Sequence, residues 1–154
     1  MTKDEVKKLR MNSPESLQFL NNATKFYNLM MMYRCAIREI QTKLEVLDDE
    51  FSVENNRNPI SFIKTRIKQP NSIYDKLQKM GYEFTTENIQ TYLNDVAGVR
   101  IVCAFIDDNR LDEQIRQAVL SLETKWTEKE IGFQVELEEV KYTGNEGLFM
   151  HIWI

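Results

Sequence analysis

Proline, glycine and histidine are scarce, at three, five and one among 154 residues. So few breakers exclude a long linker or a low-complexity tail, and no segment recurs at the periods of about 20 to 50 residues that mark repeat proteins. Cys35 and Cys103 stand 68 positions apart with no CxxC pair. With one histidine, that pattern excludes a structural zinc site and a disulfide framework, and both cysteines read as core thiols. Long apolar runs are also missing. LMMMY and VRIVCAFI are too short to span a bilayer, and the charged start MTKDEVKKLR lacks the apolar stretch of a signal peptide. A soluble, cytoplasmic protein with no membrane partner is expected. Net positive charge is absent as well: the formal charge of −4 repels nucleic acid overall.

What is present suits one globular domain over residues 1–154, with 42% hydrophobic and 29% charged residues. Between Phe26 and Phe51, apolar residues at Tyr33, Ile37, Ile40, Leu44 and Leu47 step by four and three, which predicts a long amphipathic helix. A shorter helix is expected before it, with Ser13 as N-cap and Pro14 at the first helical position. Met30 to Met32 read as core filling or helix packing. ISFIKTRIK fits a short strand. Ser72 is the expected N-cap of a helix whose stripe Ile73, Leu77, Met80 stops at Gly81.

Thr85 or Thr86 starts a further helix through Ile89, Leu93 and Val96 to Gly98, and VRIVCAFI follows as a central strand. Asp107 and Asp108 are the expected caps of a helix with Leu111, Ile115, Val119 and Leu122 on one face. IGFQVELEEVKY alternates from Ile131 to Leu137, and a TGNEG turn leads to a last strand, LFMHIWI. Helices followed by mixed strands and helices indicate an α+β domain with three to five strands.

Lys64, Arg66, Lys68, Lys76 and Lys79 face only Asp75 within residues 64–79. A helix start flanked by Arg66, Lys68, Ser72 and Lys76 suits phosphate, because free backbone N–H groups, the helix dipole and cationic side chains all favour an anion. The same composition fits an ordinary solvated turn. RNA is not the expected ligand, since Tyr74 is the one aromatic between Ile63 and Met80. Asp95, read in the last helical turn before Gly98, sits where the dipole disfavours a carboxylate. A cation such as Mg²⁺ offsets that cost, and a solvated surface aspartate is the other reading.

RIKQPNSIYDKLQKMGYEF followed by NDVAGVRIVCAFIDD resembles the synthetase domain of the RelA/SpoT family, and within it the small single-domain alarmone synthetases. The R-x-K-x-x-x-S pattern, the S-I-x-x-K continuation and the D-[IV]-A-G-[LV]-R motif occur in order, over about half of the chain. The resemblance implies a nucleotidyltransferase-like mixed β-sheet flanked by helices. It also implies a GTP pyrophosphokinase that moves the pyrophosphate of ATP onto the 3′-oxygen of GTP or GDP, making (p)ppGpp in the stringent response, with Mg²⁺ as cofactor and a homo-oligomer, commonly a tetramer, as assembly. Arg66 and Arg100 would clamp adenine; Lys68, Ser72 and Lys76 would hold the ATP phosphates; Asp95 would be the metal ligand and the catalytic residue.

On the acceptor side, Asn145, Gly147 and His151 align loosely with the family's K-P-N-G-Y-R-S-L-H-L loop. Leu148 stands where that loop has its Tyr. The chain stops before the family's later E-x-Q-x-R-T strand and following helices, and Glu136 and Glu138 read as the solvent face of an alternating strand. A catalytically inactive nucleotide-binding or regulatory module is therefore the alternative to an active synthetase.

Overall fold

The computed structural model describes residues 2–5, 13–55, 58, 60–103, 109–127, 134–142 and 145–154. Helix α1 (Pro14–Asn55) is followed by strand β1 (Ile60–Ile67), helix α2 (Pro70–Met80) and helix α3 (Thr86–Tyr92). Strand β2 (Ala97–Cys103), helix α4 (Asn109–Thr127) and strands β3 (Gln134–Tyr142) and β4 (Asn145–Trp153) complete the order.

The two helices expected before residue 55 are one helix of 42 residues. Ser13 caps it as expected, its Oγ accepting from the Ser16 amide at 3.2 Å. No Gly or Pro stands between Glu15 and Asn55 to end it. From Leu29 onward α1 buries Leu29, Met30, Tyr33, Ala36, Ile37, Ile40, Leu44 and Phe51, whereas Leu17, Phe19, Leu20 and Tyr27 are exposed. Of the methionine run, Met30 is core and Met31 faces outward; Cys35 on the same helix is exposed, so of the two expected core thiols Cys103 alone is buried.

The four described strands form one sheet in the order β1-β2-β4-β3, so the VRIVC strand is internal as expected. Each described pairing is antiparallel, where the resemblance implies a mixed sheet. One face carries Val99, Ile101 and Ile152 into a core shared with Ile37, Ile40, Leu44, Ile115 and Val119. Helix α4 meets this core through Ile115, Val119, Leu122 and Trp126, a spacing that keeps one stripe inward. The Trp126 indole N–H donates to Glu39 Oε2 at 3.1 Å, and Lys43 Nζ donates to Ser121 Oγ at 2.5 Å, fixing α4 along α1.

Gly81 ends α2 as expected. Its φ of 83° is left-handed, and the Tyr82 amide reaches back to the Leu77 carbonyl at 2.9 Å. Ile73 and Leu77 of the expected stripe are buried, but Met80 is 45% exposed. Thr85 caps α3, accepting from the Asn88 amide. Rings join these short helices to α1: Phe84 lies 5.1 Å from Phe26 and 5.8 Å from Tyr74 between centroids.

Helix α3 ends at Tyr92 rather than at Gly98, because Leu93 turns extended at φ −106° and ψ 126°. Leu93 and Val96 are buried from this non-helical segment instead of from a helix face. The last strand begins at Asn145, so Asn145 and Gly147, expected in a turn, pair with Tyr142 and Val140. The Asp107 and Asp108 caps, Ile131 and the turn at 143–144 lie outside the described residues. Among the described residues, no helix is long and apolar enough to cross a membrane.

Candidate functional site

The register of β1 on β2 assembles the candidate residues. Arg66 pairs with Gly98 and Ile67 with Ala97, so the chain beyond Ile67 runs beside the segment that precedes β2. There the Lys68 amide donates to the Val96 carbonyl at 2.7 Å, which locks Lys68 next to Asp95.

Helix α2 starts immediately after. Its N-cap is Gln69, not Ser72, and Gln69 makes no side-chain capping bond. Pro70, with φ preset for a helix and no N–H to satisfy, occupies the first turn and moves the start forward. Ser72 therefore lies within the first turn, where the amides of Asn71 and Ser72 precede the first intrahelical bond, Ile73 N–H to Gln69 O at 3.0 Å.

Two lysines converge on one carboxylate. Lys68 Nζ donates to Asp95 Oδ2 at 3.1 Å and Lys76 Nζ donates to the same oxygen at 2.8 Å. Asp95 is not in a helical turn, so its environment is set by these cations rather than by a dipole. Burial is the largest single influence on its carboxyl and pushes it up, but the bonds and charges of Lys76 and Lys68 together hold it below its ordinary value of 3.8. Asp95 Oδ1 is buried and has no hydrogen-bond partner among the described residues.

Above this cluster lies an open depression of about 730 Å³, lined by Arg66, Lys68, Gln69, Ser72, Asp75, Lys76 and Lys79. Arg66 also borders a smaller cavity of about 190 Å³ on the sheet face away from the core, with Lys64, Gly98, Arg100 and Trp153. Arg66 thus lines both the depression and the sheet-face cavity. Trp153 was not singled out by its sequence. Its strand is legible in LFMHIWI, but only the register shows that Trp153 stands opposite Gly98.

The acceptor-side candidates are spread out. His151 stands opposite Arg100 in the β2–β4 register. Gly147 and Asn145 continue β4 past Leu148, which pairs with Cys103 at the far end of β2. Six positions of strand separate Gly147 from Trp153, about 20 Å at 3.3 Å per residue.

Residues 65–152 match the family described as the region found in RelA / SpoT proteins. The chain is 37% identical over 81 residues to GTP pyrophosphokinase YwaC of Bacillus subtilis (strain 168), a match covering 53% of this chain and 39% of that protein. GTP pyrophosphokinase YjbM of the same strain is 30% identical over 86 residues, covering 56% and 39%. The matches thus span about two fifths of the length of either relative. Among solved structures, small alarmone synthetase 1 from Bacillus subtilis superposes with a TM-score of 0.50 at 24% identity, over 83% of this chain and 68% of that one, a likeness of fold. Because the matched region takes in more than half of its residues and every donor-side candidate from Arg66 to Arg100, the chain belongs to the RelA/SpoT family.

Proposed function

We propose that the chain carries the donor-nucleotide site of an ATP:GTP 3′-diphosphotransferase, transferring the pyrophosphate group of ATP to the 3′-hydroxyl of GTP or GDP. The observation that carries this reading is the meeting of Lys68, Lys76 and Asp95 beside the first turn of α2, with Arg66 next to them. In it, the phosphates lie in the larger depression, bonded by Lys68, Ser72, Lys76 and the first-turn amides. The adenine lies on the open sheet face between the guanidinium groups of Arg66 and Arg100, planar cations suited to stacking.

Asp95 fits one protein bond to Mg²⁺. Its Oδ1 is a hard oxygen without a partner among the described residues, and Mg²⁺ is typically held by one or two carboxylates plus substrate phosphates. The metal, when bound, neutralises charge on the transferred group. Lys68 and Lys76 would turn from Asp95 to the phosphates when the nucleotide enters, their charges meeting those on the group in transit. The remaining contribution is alignment of the two nucleotides. Exposed Leu17, Phe19 and Leu20 on α1 are compatible with assembly into a homo-oligomer.

Incubating the chain with labelled ATP, GTP or GDP, and Mg²⁺, then separating products by thin-layer chromatography, tests the reading. A labelled guanosine tetra- or pentaphosphate is expected. ATP binding without product favours the alternative, a nucleotide-binding module without turnover, for which Leu148 in place of the family's loop Tyr is the supporting feature. No ATP binding sinks both.

A further inference from the structure

Trp153 stands in the donor surface without a role in the scheme above. Arg66 pairs with Gly98 across β1 and β2, and Gly98 with Trp153 across β2 and β4. Residues directly opposite in an antiparallel ladder share a face. Arg66 and Trp153 therefore lie on the same side of the sheet, with only a glycine between them. The indole uses that gap. A Cβ on Gly98 would lie 2.8 Å from Trp153 Cζ3 and 3.0 Å from Cε3, so the ring rests against the bare backbone of β2. From there its face meets Arg66, whose Cζ is 5.9 Å from the ring centroid, at the reach of a cation–π contact.

One row along the same face, Lys64 stands opposite Arg100. The cavity these residues enclose, about 190 Å³, falls below the volume of about 300 Å³ at which whole-ligand pockets begin, and suits a single base. A long arginine side chain in solvent samples many rotamers, and a base that stacks on it must first fix one. Holding the guanidinium beforehand raises affinity by removing that step.

We infer that Trp153 is a positioning residue for the donor purine: seated on Gly98, its indole fixes the plane of the Arg66 guanidinium on which the base stacks. This rests on the donor-site reading above and goes beyond it, since it assigns purine recognition to a residue outside the shared motifs. The phosphates are held elsewhere, by Lys68, Ser72 and Lys76, so the effect is confined to ligands that carry a base.

Binding of a non-hydrolysable ATP analogue and of inorganic tripolyphosphate to the full chain, to Trp153→Leu and to Trp153→Phe separates the possibilities. Trp153→Leu is expected to weaken the analogue by about tenfold, the scale of one partly desolvated cation–π contact, and to leave tripolyphosphate unchanged. Trp153→Phe, which keeps an aromatic face, is expected to restore most of the loss. Unchanged analogue affinity in Trp153→Leu overturns the inference while leaving the donor site in place. Equal loss of analogue and tripolyphosphate also overturns it, since that marks packing alone. If the unaltered chain binds neither ligand, the donor-site reading falls and takes the inference with it.

Discussion

Lys76 Nζ donates to Asp95 Oδ2 at 2.8 Å across 19 positions of sequence, and this bond ties α2 to the segment entering β2. Since the Asp95 carboxyl is held below 3.8, it contributes stability above that value and loses it as pH falls through the lower folded value. Asp95→Asn is expected to cost about 1 kcal/mol at pH 7, the scale of a charged hydrogen bond on a partly exposed group. Urea unfolding at pH 7 and pH 3 checks it: the gap between the two proteins should narrow at pH 3, and an equal gap at both would refute the ion-pair account.

The same carboxylate competes with any polyanion for the two ammonium groups. Without divalent metal, Asp95→Asn should therefore bind ATP several-fold more tightly than the unaltered chain, while the Mg²⁺-dependent part of its affinity disappears. Titration calorimetry with and without chelator reads both effects.

Arg66→Ala is expected to weaken ATP by about 1 to 3 kcal/mol, and Lys68→Ala or Lys76→Ala by about 1.5 to 3 kcal/mol. The lysine losses should shrink as salt rises, because exposed charges are screened. Affinities at two salt concentrations distinguish them, and an unaltered ATP affinity in Arg66→Ala would remove the donor-site assignment.

Gly98→Ala places a methyl 2.8 Å from the Trp153 ring, which must move. A cost of about 1 to 3 kcal/mol is expected from overpacking. Combining it with Trp153→Leu should recover much of that cost, a coupling that a double-mutant cycle measures directly.

Leu77 is fully buried and anchors α2 one residue from Lys76, whereas Met80 is exposed. Leu77→Ala should lose about 2 to 5 kcal/mol in chemical denaturation, and Met80→Ala less than about 0.5 kcal/mol.

Much of the architecture was legible because periodicity and punctuation agreed. The three-and-four spacing from Tyr33 to Phe51 gave α1, and Gly81 and Thr85 marked helix boundaries by backbone chemistry that is local. Ser72 misled because capping preference and proline geometry point to different residues, and the fixed φ of Pro70 wins. Asp95 misled because Ile89, Leu93 and Val96 keep helical spacing while two of them reach the core from a non-helical segment. The convergence of Lys68 and Lys76 on Asp95, and of Arg66 and Trp153 around Gly98, depends on register and on helix placement. Spacing in one chain carries neither.

Two ammonium groups sharing a single carboxylate oxygen leave the resting cluster with one surplus positive charge. A chloride or a lone carboxylate can offer no more than Asp95 already does, so it has little reason to displace it. In the proposed donor site, a ligand bearing several charges at phosphate spacing would satisfy both ammoniums at once, so the built-in acid would favour a polyphosphate over a singly charged anion.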